Sequence, residues 1–216
     1  MSHDHDDFAS EPVKGLPERP PEGEHILWQG KPHWWALTRD SLNLYWVAVY
    51  FVVLAVWRYV TLMDQVSAAS AFRASFPFII LGGIVCAILL IVGYVQARAT
   101  VYTITNRRVA MRIGAALTVT LNLPFSQVRN ADLRLHRDGT GTIALDLMGN
   151  TRLSYLVCWP HVRPWVIRRT QPALRCIPDA EKIAHLLAEA AEARVSTPKV
   201  ERHSERHSAA ATVAAE

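Results

Sequence analysis

Residues 76–96 read FPFIILGGIVCAILLIVGYVQ, a run without a single charged side chain. A helix needs about 20 apolar residues to cross the hydrocarbon core of a bilayer. A soluble domain rarely keeps a helix apolar on every face for so long. The stretch therefore predicts a transmembrane helix over 76–97. Upstream, LNLYWVAVYFVVLAVW is almost continuously apolar and predicts a first span over 41–63. Its one charge, Arg58, lies about a turn from the end, where its stem can reach the head groups. Residues 63–75 are too short to do more than turn the chain. The two spans form an antiparallel hairpin, and both termini face the same side.

Charge assigns that side. Residues 97–178 carry twelve Arg, no Lys and three Asp, whereas residues 1–40 carry four basic and eight acidic groups. Arg98, Arg107, Arg108 and Arg112 follow the second span, but only Arg73 lies in the connection. Basic residues accumulate on the cytoplasmic side, so both termini are expected there. Trp34 and Trp35 stand just ahead of the first span, as an interfacial anchor would. Asp40 or Ser41 is placed to cap the helix that follows. Gly82 with Cys86, and Gly83 with Ala87, put small residues four apart on the second span, a spacing that admits a closely packed helix. The hairpin's own first helix is the simplest partner.

The flanks differ in kind. Residues 1–24 are acidic and punctuated by prolines between Pro12 and Pro21, which predicts a disordered leader. Residues 25–40 read as an interfacial segment before the helix. From 98 onward the periodicity shortens to two. VYTITNRRVAMRIG predicts two strands, and ALTVTLNLPF a third. ADLRLHRDGTGTIALDLMGNTRLSYLVCW predicts three more, with turns at Asp138-Gly139 and Gly149-Asn150. PHVRPWVIRRTQPALRCIP reads as irregular. DAEKIAHLLAEAAEAR, 179–194, carries an apolar stripe of Ile183, Leu186, Leu187 and Ala190 and predicts a closing helix capped by Asp179. Residues 195–216 read as a disordered tail. The expected fold is thus a membrane α-helical hairpin with an α+β domain over 98–194: an antiparallel β-barrel or sandwich closed by one helix.

The residues exclude several classes of function. There is no P-loop, no GxGxxG, no HExxH and no paired-carboxylate site. Cys158 and His161 are three apart across Trp159-Pro160, with no third orienting group, so no catalytic residue is assigned. His3 and His5 give no closed ligand set, and neither span contains His. No metal and no cofactor is expected. The sparse cysteines, Cys86, Cys158 and Cys176, fit a reducing compartment. Arg-rich surfaces pair with phosphate and carboxylate. At an anionic leaflet such a domain is drawn to lipid. Nucleic acid is not expected, because no reading motif is present. Arg107 and Arg108, and above all Arg163, Arg168 and Arg169 with Trp159 and Trp165, have the composition of a contact surface.

PEGEHILWQGKPHWW, then a two-helix hairpin, then VYTITNRRVAMRIG, resembles bacterial membrane proteins with a pleckstrin-homology-like (PH-like) domain. The longer leader and WPHVRPW…QPALRCIPDAEKIA are similar to photosynthetic-complex assembly proteins of purple phototrophic bacteria. That resemblance implies a non-enzymatic scaffold in the photosynthetic inner membrane. Its implied partners are reaction-centre and light-harvesting 1 polypeptides, and self-association is implied as well. It supplies no catalytic residues. The residues themselves leave open a second reading, a membrane-anchored domain that senses anionic head groups.

Overall fold

The structure, a computed structural model, describes residues 13, 15, 16, 18–115, 117–149 and 153–196. The expected disorder of 1–12 and of 197–216, and any role of His3 and His5, lie outside the described residues.

Among the described residues, seven strands form two antiparallel sheets. The first has the order β1-β2-β3-β4, from β1 (Ile26–Gly30), β2 (Val101–Thr105), β3 (Arg108–Ile113) and β4 (Val119–Pro124). The second is β5 (Val128–Leu135), β6 (Thr140–Leu147) and β7 (Ala173–Pro178). Between β1 and β2 the chain forms α1 (Trp34–Ser41), α2 (Leu44–Leu62) and α3 (Ala68–Ala99). A helical turn, α4 (Tyr155–Cys158), follows β6, and α5 (Ala180–Ser196) follows β7. The core is built where the inward faces of both sheets meet α5. Tyr102, Ile104, Met111, Ile143, Leu145, Leu174 and Ile177 pack there with Ile183 and Leu187.

Both long helices are apolar enough to cross a membrane, and only 11% of each apolar window is buried inside the protein. Trp46, Trp57, Ile91 and their neighbours point outward. So large an apolar surface needs lipid around it, and the hairpin is a membrane-associated element rather than a soluble core.

Several boundaries differ from the sequence expectation. The segment 25–40 contains β1, which pairs with β2 (Gln29 with Thr103, Gly30 with Tyr102). The strand domain is therefore interrupted by the hairpin, not appended to it. β1 is short and ends in the Gly-Lys-Pro turn, so its pattern alone is weak. α3 starts at Ala68, eight residues before the expected start. Ser67 caps it, the Ala-rich first turns favour helix, and it runs through Pro77. Asp40 does not cap α2. It belongs to α1, and Asn43 stands at the cap in a left-handed conformation. The expected sixth strand is replaced by α4, and β7 lies in the stretch that looked irregular. The Asp138-Gly139 turn forms as expected, with Gly139 at φ +78°. Of the other turn, Asn150 is outside the described residues. Nor is the whole leader loose: Leu16 is buried, and Glu24, 3% exposed, pairs with Arg108 at 2.7 Å.

Glycine sets the closeness of the helices. A methyl group on Gly82 would come within 2.7 Å of Phe51 on α2, and one on Gly93 would overlap Thr38 of α1. Gly83 has open space instead. Gly93→Leu is therefore expected to lower the thermal stability of the detergent-solubilised protein by about 1–3 kcal/mol, the usual cost of overpacking. Gly83→Leu will leave the melt unchanged.

Candidate functional site

The outer face of the second sheet is turned toward the base of the hairpin. Strand alternation puts Asp132, Arg134 and His136 on one side of β5. Thr142 and Ala144 of β6 share that side, as does Arg175 of β7. Part of the β6–β7 connection folds across them, bringing Arg163, Pro164 and Trp165. Together they enclose a cleft of about 260 Å³. At its edge the last turn of α1 brings in Arg39 and Asp40. Asp40 lies 3.3 Å from His136 and accepts from Arg39 at 2.8 Å, while Arg39 also reaches Asp138 at 2.8 Å. The Thr140 hydroxyl donates to Asp138, and with Arg39 it holds that carboxyl down at about 2. Arg39 is correspondingly raised, chiefly by its bond to Asp40. These pairs fasten the β5–β6 turn to α1.

Beneath the cleft runs a continuous hydrogen-bond chain. The backbone N–H of Arg175 donates to the Tyr102 hydroxyl at 3.2 Å, and that hydroxyl lies 2.6 Å from His161 Nδ1. His161 Nε2 lies 3.0 Å from Thr100 Oγ1, which donates to the carbonyl of Gln96 at 2.8 Å. Because Thr100 spends its proton on Gln96, it accepts from Nε2–H. His161 is then neutral with its Nδ1 accepting. Burial, followed by the charge of Arg175, pushes its pKa down to about 3. Burial likewise raises Tyr102. The chain links β7, β2 and the β6–β7 connection to the end of α3. It clamps the domain onto the hairpin.

Asp40, His136 and Cys176 place an oxygen, a nitrogen and a sulfur within 4.8 Å of one another. Arg39 already occupies Asp40, and burial pushes the Cys176 thiol up to about 11. The trio fits a hydrogen-bonded lock better than a cation site. Cys158 and His161 do not make a nucleophilic pair. Both His161 ring nitrogens are engaged by Tyr102 and Thr100, and burial raises the Cys158 thiol.

The expected contact residues separate. Trp34 and Trp35 open α1, half exposed, with Trp34 set edge-on to Tyr94 near the end of α3. Arg107 and Arg108 lie at the far end of β2, about 16 Å from the hairpin at 3.3 Å per residue. Arg108 is spent on Glu24. Of the Trp/Arg cluster, Arg163 and Trp165 enter the cleft, and Arg163 meets Asp132 at 2.6 Å. Arg169 donates instead to the carbonyl of Leu147. Arg168 is exposed, and Trp159 is partly exposed beside a cis Pro160. Gly82 meets α2, whereas Gly83 and Ala87 face outward and Cys86 is half buried.

A model of the bacterial PH domain matches residues 41–191. The chain belongs to the bacterial PH domain family. It is also 46% identical over 199 residues to a protein of Rhodobacter capsulatus described as "Uncharacterized 23.7 kDa protein in puhA 5'region". The alignment covers 91% of this chain and 92% of that relative. No solved structure matches the chain. The family's domain is typically non-catalytic, and its strands and closing helix are those described above.

Within this bacterial PH domain, most residues that line the cleft carry little signal in the sequence. Arg134, His136 and Arg175 are not among the contact residues that composition picks out. The available signals were the D-x-R-x-H alternation of β5 and one Arg inside the apolar run ALRCIP.

Proposed function

We propose that this protein is an assembly factor of the PuhB type. It would work without catalysis on the photosynthetic reaction centre and light-harvesting 1 complex in the bacterial inner membrane, with both termini cytoplasmic. The observation that carries the reading is near-full-length similarity, at 46% identity, to a protein described by its place beside puhA, a photosynthesis gene. The architecture supports it. A hairpin with outward-facing Gly83 and Ala87 offers lateral contacts to apoprotein helices, and to a second copy of itself. The clamp through His161 makes the PH-like domain move with the hairpin. A scaffold that holds membrane and cytoplasmic segments in one geometry needs that rigidity.

The test is a mild-detergent pull-down of the tagged protein from photosynthetically grown membranes, paired with a deletion strain. Reaction-centre or light-harvesting 1 polypeptides should co-purify at substantial yield. The deletion should lower reaction-centre content while pigment synthesis continues. Wild-type levels of both complexes in the deletion strain would reject the proposal.

A further inference from the structure

Arg175 is 6% exposed, yet no carboxylate pairs with it among the described residues. Its Nη1 donates to the carbonyl of Val162 at 3.1 Å, its Nη2 to that of Asp40 at 3.4 Å, and its buried Nε has no acceptor. Buried charges are otherwise paired, since removing one from water without a counter-ion is costly. Arg175 borders the cleft, where Arg134 and Arg163 join it and Thr142 and His136 add further polar groups. Among the described residues, Asp132 is the one acid lining that cleft, and Arg163 already holds it at 2.6 Å. The lining carries three guanidinium groups against one carboxylate, an excess of two positive charges. Guanidinium forks match the oxygens of a phosphate group.

Position selects the source of that phosphate. Asp40 touches both Arg175 and His136, and it stands four residues ahead of the first residue of α2. Four residues reach at most about 14 Å even when extended, so the edge of the cleft lies within that distance of where the hairpin begins. Trp165 stands at its rim, 90% exposed, with its backbone at φ +66°. Ile167, two residues on, is also exposed. An apolar ring projecting beside a cationic cleft at the start of a membrane helix is placed at head-group level.

We infer that this cleft binds the phosphate of an anionic phospholipid head group, with Arg175 as the buried anchor, Arg134 and Arg163 as flanking donors, and Trp165 inserted alongside among the lipid. The site goes beyond the assembly role and does not depend on it.

Native mass spectrometry of the full chain in detergent tests this. Phosphatidylglycerol, phosphatidylcholine and inorganic phosphate are supplied in separate titrations. The expected result is at least tenfold stronger retention of phosphatidylglycerol than of phosphatidylcholine. The double substitution Arg134→Gln with Arg163→Gln, both at exposed positions, should abolish that preference with no loss of folded protein. Arg107→Gln, at the far end of the domain, should keep it. Equal retention of the two lipids overturns the inference, as does a preference that survives the double substitution. Loss of preference in Arg107→Gln would also overturn it, by showing general attraction to basic charge. Phosphate binding with equal lipid retention would overturn it in favour of a soluble phosphate ligand.

Discussion

Expressed without what precedes it, the segment 98–196 will not yield a folded domain, although it holds six of the seven strands and the closing helix. β2 is buried along its whole length, from Val101 to Thr105, and β1 satisfies one edge of it. Removing β1 uncovers those backbone groups and takes Trp28 away from the core. Each ladder hydrogen bond lost costs about 0.5–1.5 kcal/mol. Total stability is typically about 5–15 kcal/mol, so several such losses, together with that of Trp28, suffice to unfold the domain. The backbone bond from His33 to the carbonyl of Cys176 goes as well. Residues 15–42 joined to 92–196 by a Gly-Ser linker should restore the fold. A linker of about ten residues spans roughly 17 Å, enough to bridge two neighbouring helix ends. Amide dispersion in a nitrogen–proton NMR spectrum reports both results. A well-dispersed spectrum from 98–196 alone would contradict the expectation.

Acidification will destabilise the protein through His161. Its folded pKa of about 3 lies below the ordinary value of 6.5 because the ring is buried and faces Arg175. Between those values the unfolded chain takes up a proton that the folded chain refuses. The stabilisation is therefore complete above pH 6.5 and is lost as the pH falls toward 3. Well below 6.5 the loss approaches about 1.4 kcal/mol per pH unit, or about 2 kcal/mol between pH 8 and pH 5. His161→Gln removes the titration. It should begin less stable by about 1–3 kcal/mol, because it strands the partners Tyr102 and Thr100, and then show a flatter profile than the wild type. Thermal melts of both proteins in detergent from pH 8 to pH 5 give the comparison. Parallel profiles would show that His161 already accepts a proton in the folded state.

The hairpin was legible because its signal is local: long, uncharged and apolar on every face. The β2–β3 pair and the Asp138-Gly139 turn were legible for the same reason, through alternation and turn chemistry. β1 was not, because five residues carry little pattern, and its partner β2 lies more than seventy positions away. β7 was hidden by the prolines and arginines around it. The cleft drew on β5, β6, β7, α1 and a loop, so no single window of sequence contained it. Composition picks out Arg163 and Trp165 first, but it also picks out Arg107 and Arg108, which lie at the opposite end. Composition identifies contact residues without saying which of them meet.

The placement of the hairpin between β1 and β2 has a consequence during synthesis. β1 leaves the ribosome before the hairpin and β2 after it, so in a hairpin that spans the bilayer, as proposed, β1 must wait unpaired until both helices have been threaded. Only an insertion that returns the chain to its starting side lets the two strands meet. A half-threaded product keeps them on opposite faces of the bilayer, with an unfinished sheet exposed to proteolysis. Closure of the sheet is thus a built-in inspection of topology, passed only by chains whose two crossings are complete.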